Sequence, residues 1–161
     1  MVEIKIVNVD PGLNNQLMIG QAGFIKTIED VYEALINSST VIKFGVAFSE
    51  ASGQCLIRTE GNDTDLQEIA ERNATALGSG HVFVVVFNNA YPINVNNAVK
   101  SVPEVTSIYC STANSVQVII AESEQGRGIL GVIDGYSPKG VESPGDKEKR
   151  KKLLRDLGYK M

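Results

Sequence analysis

Apolar and polar residues alternate from Glu3 to Val9 (EIKIVNV), the period of a strand with one buried face. Asp10-Pro11-Gly12 is a turn signal. Leu13 to Gly23, rich in Gly and Asn with scattered apolar residues, reads as a loop. From Thr27 the period becomes helical. Thr27 stands as N-cap, Glu29 and Asp30 fall in the first turn, and Val31, Leu35 and Ile36 share a face. Asn37-Ser38-Ser39 stops that helix. Val41 to Ser49 and Gln54 to Glu60 then form a hairpin across Ala51-Ser52-Gly53.

A second helix runs from a cap at Asp63 or Thr64 to Ala76, with Leu66, Ile69 and Ala70 inward. Gly78-Ser79-Gly80 ends it. His81 opens the most apolar run of the chain, Val82 to Phe87, a central strand buried on both faces. Pro92 starts a third helix with Ile93, Val95, Ala98, Val99 and Val102 on its stripe, and Pro103 closes it. Strands follow at Val105 to Ser111, Val116 to Glu122 and Gly128 to Asp134. A charged helix, Lys147 to Leu157, turns Leu153, Leu154 and Leu157 inward, and Gly158 is its C-cap. The order β-α-β-β-α-β-α-β-β-β-α gives one compact α/β domain over residues 1–161, a mixed β-sheet flanked by helices.

Composition narrows the function classes. With 161 residues, 43% of them hydrophobic and 21% charged, the chain has the make-up of a globular domain able to bury a core without staples. No apolar run is long enough to span a bilayer, and no signal peptide opens the chain, so a cytoplasmic location with no membrane partner is expected. Cys55 and Cys110, each within an apolar run, read as buried free thiols. Two cysteines and one histidine do not make a zinc site, and no metal is expected. Lys139 to Met161 carries a net +4 and the remainder −8. The acidic body argues against nucleic acid as partner, and the basic tail reads as a solvated helix face.

Four groups of residues carry candidate chemistry. Gly126-Arg127-Gly128-Ile-Leu-Gly131 matches G-x-G-x-x-G, but no helix follows to receive a pyrophosphate. A hairpin turn with strand glycines fits better, leaving Gly128 on a contact surface and Arg127 at its rim for an anion. His81 is either a hydrogen-bonded residue capping a strand or a nucleophile, proton shuttle or phosphate contact. Asn94, Asn96 and Asn97 lie early in a helix, where they either cap it or meet a polar ligand. Asp134-Gly135-Tyr136-Ser-Pro-Lys139 is either an ordinary turn or a ligand loop, with Asp134 for ribose hydroxyls, Tyr136 for stacking and Lys139 for phosphate. There is no G-x-x-x-x-G-K-[ST] loop and no protein-kinase motif set.

Several blocks together resemble the adenosine-specific kinase family of archaea and some bacteria. They are Lys43 to Gly53 (KFGVAFSEASG), Gly80-His81 with its apolar run, Pro92 to Val95, Ala98 to Val105, Ile108 to Asn114 (IYCSTAN) and Gly126 to Gly135 (GRGILGVIDG). The likeness extends from about Val2 to Lys160. It implies a compact α/β domain that binds adenosine or AMP in preference to ADP or ATP, and a histidine that carries a phosphoryl group, a role that falls to His81. It also implies a homo-oligomer built on trimers. Taken with the residue readings above, the expected substrate-binding set is Lys43, Asn94, Asn114, Arg127, Gly128, Asp134, Tyr136 and Lys139. No cofactor is expected beyond adenosine or AMP as ligand. The family's usual Ala-Thr-Ala-Asn-Pro reads Ser111-Thr-Ala-Asn-Ser115 here, which loosens the turn and keeps Asn114. Two readings follow: a phosphotransferase acting through His81, or a nucleoside-binding sensor or carrier without turnover.

Overall fold

The computed structural model describes residues 1–161. The elements are β1 (Glu3–Val9), β2 (Gln16–Ala22), α1 (Thr27–Ile36), β3 (Lys43–Ser49), β4 (Ile57–Gly61), α2 (Thr64–Leu77), β5 (Val82–Asn88), α3 (Pro92–Lys100), β6 (Val105–Thr112), β7 (Val116–Glu122), β8 (Arg127–Asp134) and α4 (Pro144–Asp156).

The α/β class holds. The strands divide between two sheets, in the orders β4-β3-β5-β2-β6 and β1-β7-β8, instead of forming one mixed sheet. Every strand pairing is antiparallel, and one isolated parallel bridge joins Ser79 to Arg127. The reason lies in the helical crossovers. Each carries the chain past one strand position, so β2 and β3 run parallel with β5 between them, and β5 and β6 run parallel with β2 between them. No two parallel strands are left adjacent.

β5 is the centre. Val82 to Phe87 are all at most 2% exposed, because the pleat sends alternate side chains into two separate cores. Phe83, Val85 and Phe87 join Phe44, Val46 and Phe48 of β3 against α1 and α3. Val82, Val84 and Val86 face α2 and the inner side of the small sheet, where Val116, Val118 and Ile120 point. The molecule therefore has three layers: α1 and α3, the large sheet, then α2 beside the small sheet.

The segment expected to be a loop, Leu13 to Gly23, contains β2, paired with β5 on one side and β6 on the other. Its Leu17-Met18-Ile19 run is fully buried, and Gly20 leaves space that the Phe83 ring fills, a Cβ there lying 2.3 Å from Cζ. The expected cap at Asp63 is present, its side chain accepting from Leu66 N at 3.1 Å. The expected cap at Thr27 is not. Lys26 holds the N-cap position, and Thr27 is buried with its hydroxyl unpartnered. Leu153 and Leu157 of α4 do not face inward either; they are 56% and 59% exposed. Cys110 is buried as expected, whereas Cys55 is exposed in the β3–β4 turn.

One close approach sets the position of α2. A Cβ on Gly45 of β3 would lie 2.3 Å from the Leu66 carbonyl carbon and the Gln67 nitrogen, so only glycine admits the helix backbone. Gly45→Ala is expected to cost roughly 3 kcal/mol or more in urea unfolding. Gly126→Ala, in open space, should change stability by less than about 0.5 kcal/mol.

Candidate functional site

The connection from α2 to β5 places His81. The helix ends at Gly78 in the left-handed conformation (φ 59°), and Ser79-Gly80 lead directly to the sheet. His81 is also left-handed, at φ 62°, which for a residue with a Cβ costs on the order of 1 kcal/mol. Two backbone bonds hold it there. Its N–H donates to Ser49 O of β3 at 2.8 Å, and its carbonyl accepts from Ala22 N of β2 at 2.9 Å. The half-buried ring stacks on Phe48 with centroids 6.1 Å apart and planes 14° from parallel. No protein group hydrogen-bonds to either ring nitrogen. The imidazole is thus fixed by its backbone and one aromatic neighbour, with both nitrogens free for a reactant or ligand.

Beside this segment, toward α2 and the small sheet, lies a cleft of about 720 Å³ whose lining includes Ser49, Glu50, Ser79, Gly80, Arg127 and Gly128. Ser79 is 1% exposed and its Oγ has no partner. Glu50 accepts from Leu56 N and from Arg58 Nη2, each at 2.8 Å, which closes the β3–β4 turn over this cleft. Those two bonds also lower its pKa, the Leu56 N–H contributing most. Arg127 is engaged on several sides. It pairs with Glu122, and its Nη1 donates to Ala76 O at 3.2 Å and Leu77 O at 3.4 Å. It therefore caps the last carbonyls of α2, where a cation suits the negative helix end.

The opposite end of the large sheet carries a larger cleft of about 1570 Å³. Seven asparagines line it: Asn8, Asn14, Asn15, Asn88, Asn89, Asn94 and Asn114. Gln16, Gln117, Tyr91 and Tyr136 join them, Asp10 is the single charged residue, and no Lys or Arg takes part. Asn14 and Asn89 are left-handed at φ 62° and 57°, the conformation Asn tolerates best after Gly. The amides partly hold one another: Asn88 Nδ2 donates to Asn15 Oδ1 and Gln117 Nε2 to Asn8 Oδ1, both at 3.0 Å. Each amide keeps further donor and acceptor capacity. Gln16 Oε1 is buried without a partner.

The expected site residues therefore fall into two groups. His81, Arg127 and Gly128 lie at one end. Asn94, Asn114, Asp134 and Tyr136 lie at the other, where β5 ends, and Lys43 pairs with Asn88 at that same end. His81 and Asn88 are seven residues apart along β5, about 23 Å at about 3.3 Å per residue. Within one chain the two groups do not meet. Asn94 closes its own helix, its Oδ1 accepting from Tyr91 N at 2.8 Å. Asp134 accepts from Thr112 Oγ1 at 2.9 Å and Asn114 Nδ2 at 3.2 Å, and so orients Asn114. Tyr136 is 92% exposed at the cleft mouth. Lys43 and Lys139 are exposed and make no ion pair. Sequence reasoning missed Ser79, Phe48 and the cleft asparagines of the β1–β2 turn. The Asn14-Asn15 and Asn88-Asn89 pairs were the available signal, since paired asparagines favour left-handed turns.

No three His, Cys, Asp or Glu side chains gather where they could hold a metal ion. Burial, with the charge of Asp134 adding to it, pushes the Cys110 thiol up to about 11. It is therefore protonated at neutral pH and unsuited as a nucleophile.

The profile of the family described as "Adenosine specific kinase" matches residues 6–160. The chain belongs to that family. No curated protein matches it. Among solved structures, the crystal structure of PH1918 protein from Pyrococcus horikoshii OT3 is 42% identical, covers 100% of this chain and 99% of its own, and superposes with a TM-score of 0.96. Family membership brings adenosine binding or kinase activity into view and leaves the roles of the two ends to be assigned. No helix is long and apolar enough to cross a membrane.

Two measurements test this geometry. At φ 62°, His81→Gly should unfold about 1 kcal/mol harder than His81→Ala, the difference being the left-handed penalty of a Cβ. Equal stabilities would mean that the backbone there is not strained. The carboxyl of Glu122 is held below its usual range by hydrogen bonds from Lys5 first and Arg127 second. The stability it adds is present above the unfolded glutamate pKa of about 4.3 and disappears as pH falls through the lower folded value. Between pH 6 and 3 the thermal midpoint of wild type should fall further than that of Glu122→Gln.

Proposed function

We propose that the chain binds adenosine or AMP and that His81 carries a phosphoryl group between a donor and the nucleoside. The observation that carries this reading is the state of His81. It is the only histidine, its backbone is held in an unfavourable conformation, its ring is stacked and half-buried, and both ring nitrogens are free. Strain of this kind persists where surrounding structure enforces it, and functional sites are where it collects. In the first step a ring-nitrogen lone pair attacks phosphorus, a P–N bond forms, and the donor's P–O bond breaks with its electron pair leaving on the donor. In the second, the adenosine 5′ oxygen attacks phosphorus and its proton passes to solvent, while the P–N bond breaks and its electron pair returns to the ring nitrogen. Arg127 lines the neighbouring cleft at this end of the sheet and His81 does not, since its ring stacks on Phe48 on the α1–α3 side, so no cation is assigned to the phosphoryl oxygens.

The large cleft favours a second reading, binding without turnover. Its amides match the mixed donor and acceptor edge of a purine, Tyr91 and Tyr136 offer stacking faces, and the absence of Lys and Arg suits an uncharged nucleoside better than a polyphosphate. In this reading Asn94, Asn114 and Tyr136 contact adenosine, Asp134 positions Asn114, and Lys43 and Lys139 lie outside. Homo-oligomeric assembly and a cytoplasmic location remain part of the proposal in either case.

Calorimetric titration with adenosine and AMP, together with labelled-phosphate transfer to adenosine, separates the readings. In the first, wild type makes labelled AMP, His81→Ala makes none, and Tyr136→Ala retains the product. In the second, no donor yields product, and Tyr136→Ala weakens adenosine binding about tenfold or more while His81→Ala binds normally, a loss of about 1.4 kcal/mol. Binding of neither ligand by wild type would overturn both.

A further inference from the structure

Beyond β8 the chain leaves the domain. From Tyr136 to Met161 every residue except Leu154 is exposed, and α4 buries none of its side chains. The hydrogen bonds of this segment are all internal. Ser143 and Asp146 form a capping box, Arg150 holds Glu142, Lys151 reaches Glu148 and Lys152 reaches Asp156. Gly135 N to Ser115 O, at 2.9 Å, is the last bond to the body. The helix is well specified locally, with Pro144 at its start and Gly158 left-handed at φ 79° after its end. Yet a helix of this length is marginal in water without tertiary packing. Leu153, Leu154 and Leu157 form a stripe that finds no cover on its own chain.

A surface of matching character stays bare elsewhere. The inner face of the small sheet packs into the core, while the outer face presents Ile4, Ile6, Leu130 and Ile133, which are 61%, 58%, 63% and 43% exposed. The register sets Ile4, Ile6 and Ile133 on one face around Ile119, with Leu130 at the bulge between Ile129 and Gly131. Ile6 lies opposite Ile119, Ile4 opposite Ala121, and Ile133 opposite Gln117. Contiguous exposed apolar patches of this kind mark interaction sites. Charge points the same way, since Lys139 to Met161 carries a net +4 and the rest of the chain −8.

We propose that the segment from Tyr136 to Met161 is an exchange arm, and that its Leu153-Leu154-Leu157 stripe docks on the outer face of the small sheet of a second copy of this chain. Both apolar surfaces are then covered by one contact, and the basic arm meets an acidic body. Each copy both gives an arm and receives one, so the contact is heterologous and makes a closed ring when the rotation between copies closes. The inference does not depend on which cleft binds adenosine.

Light scattering on the full chain and two double variants tests the proposal. Wild type should be an oligomer. Leu153→Glu with Leu157→Glu, and separately Ile6→Glu with Leu130→Glu, should each shift it to monomer with little loss of strand signal in circular dichroism. Pairing the partners directly guards against misfolded variants. In a Cys55→Ser background, chains carrying Leu157→Cys and differently tagged chains carrying Ile6→Cys are mixed and oxidised. A disulfide between the two tags supports exchange. A wild-type monomer, an oligomer unaffected by the arm variant, or the absence of any disulfide between the two tags would overturn it.

Discussion

Everything in this molecule hangs on β5 being buried on both faces. Six consecutive residues, Val82 to Phe87, give up all contact with water. At about 25 cal/mol per Å² of apolar area, such side chains are among the largest stabilising contributors a strand of this length can make. That burial needs a strand on each side and a layer above and below. β2 and β3 supply the sides; α1 with α3, and α2 with the small sheet, supply the layers. The two ends of β5 are then the places where the chain must pass from packed sheet to loop, and both candidate sites form there.

The two ends differ in chemistry because different constraints shape them. At the start of β5 the chain arrives from α2 through a left-handed glycine and must join β2 and β3 at once. His81 takes the strained position that makes both backbone bonds. The cost is stored next to an imidazole with free nitrogens, a useful arrangement if that ring is to react. At the far end the chain has more room. The turns after β1, β5 and β6 converge on a wide cleft, and asparagines serve both the left-handed turns and the lining. One end is narrow, strained and partly charged; the other is wide, amide-rich and almost uncharged.

Much of this was legible in the sequence, and the exceptions have physical causes. β5 announced itself because a continuous β-branched and aromatic run has few other fates. α2 was legible from Asp63 to Gly78 because both caps are local chemistry. β2 was not, because Leu17-Met18-Ile19 is short, Gly20 interrupts it, and its burial comes from β5 and β6, which lie far along the chain. Arg127 reads naturally as an anion contact, yet the carbonyls it meets belong to a helix fifty residues earlier. The leucine stripe of α4 says that a face needs cover, not which surface provides it. The asparagines were visible, but their convergence on one cleft follows from sheet order, which periodicity does not encode.

The central claim concerns His81, and mass spectrometry of the chain after incubation with a phosphoryl donor tests it most directly. Digests kept alkaline preserve a P–N bond, and matched acid-treated digests lose it. The account predicts a single acid-labile phosphoryl group on the peptide that contains His81. An acid-stable phosphate on a serine or threonine, or an unmodified His81 peptide with every donor tried, would contradict it.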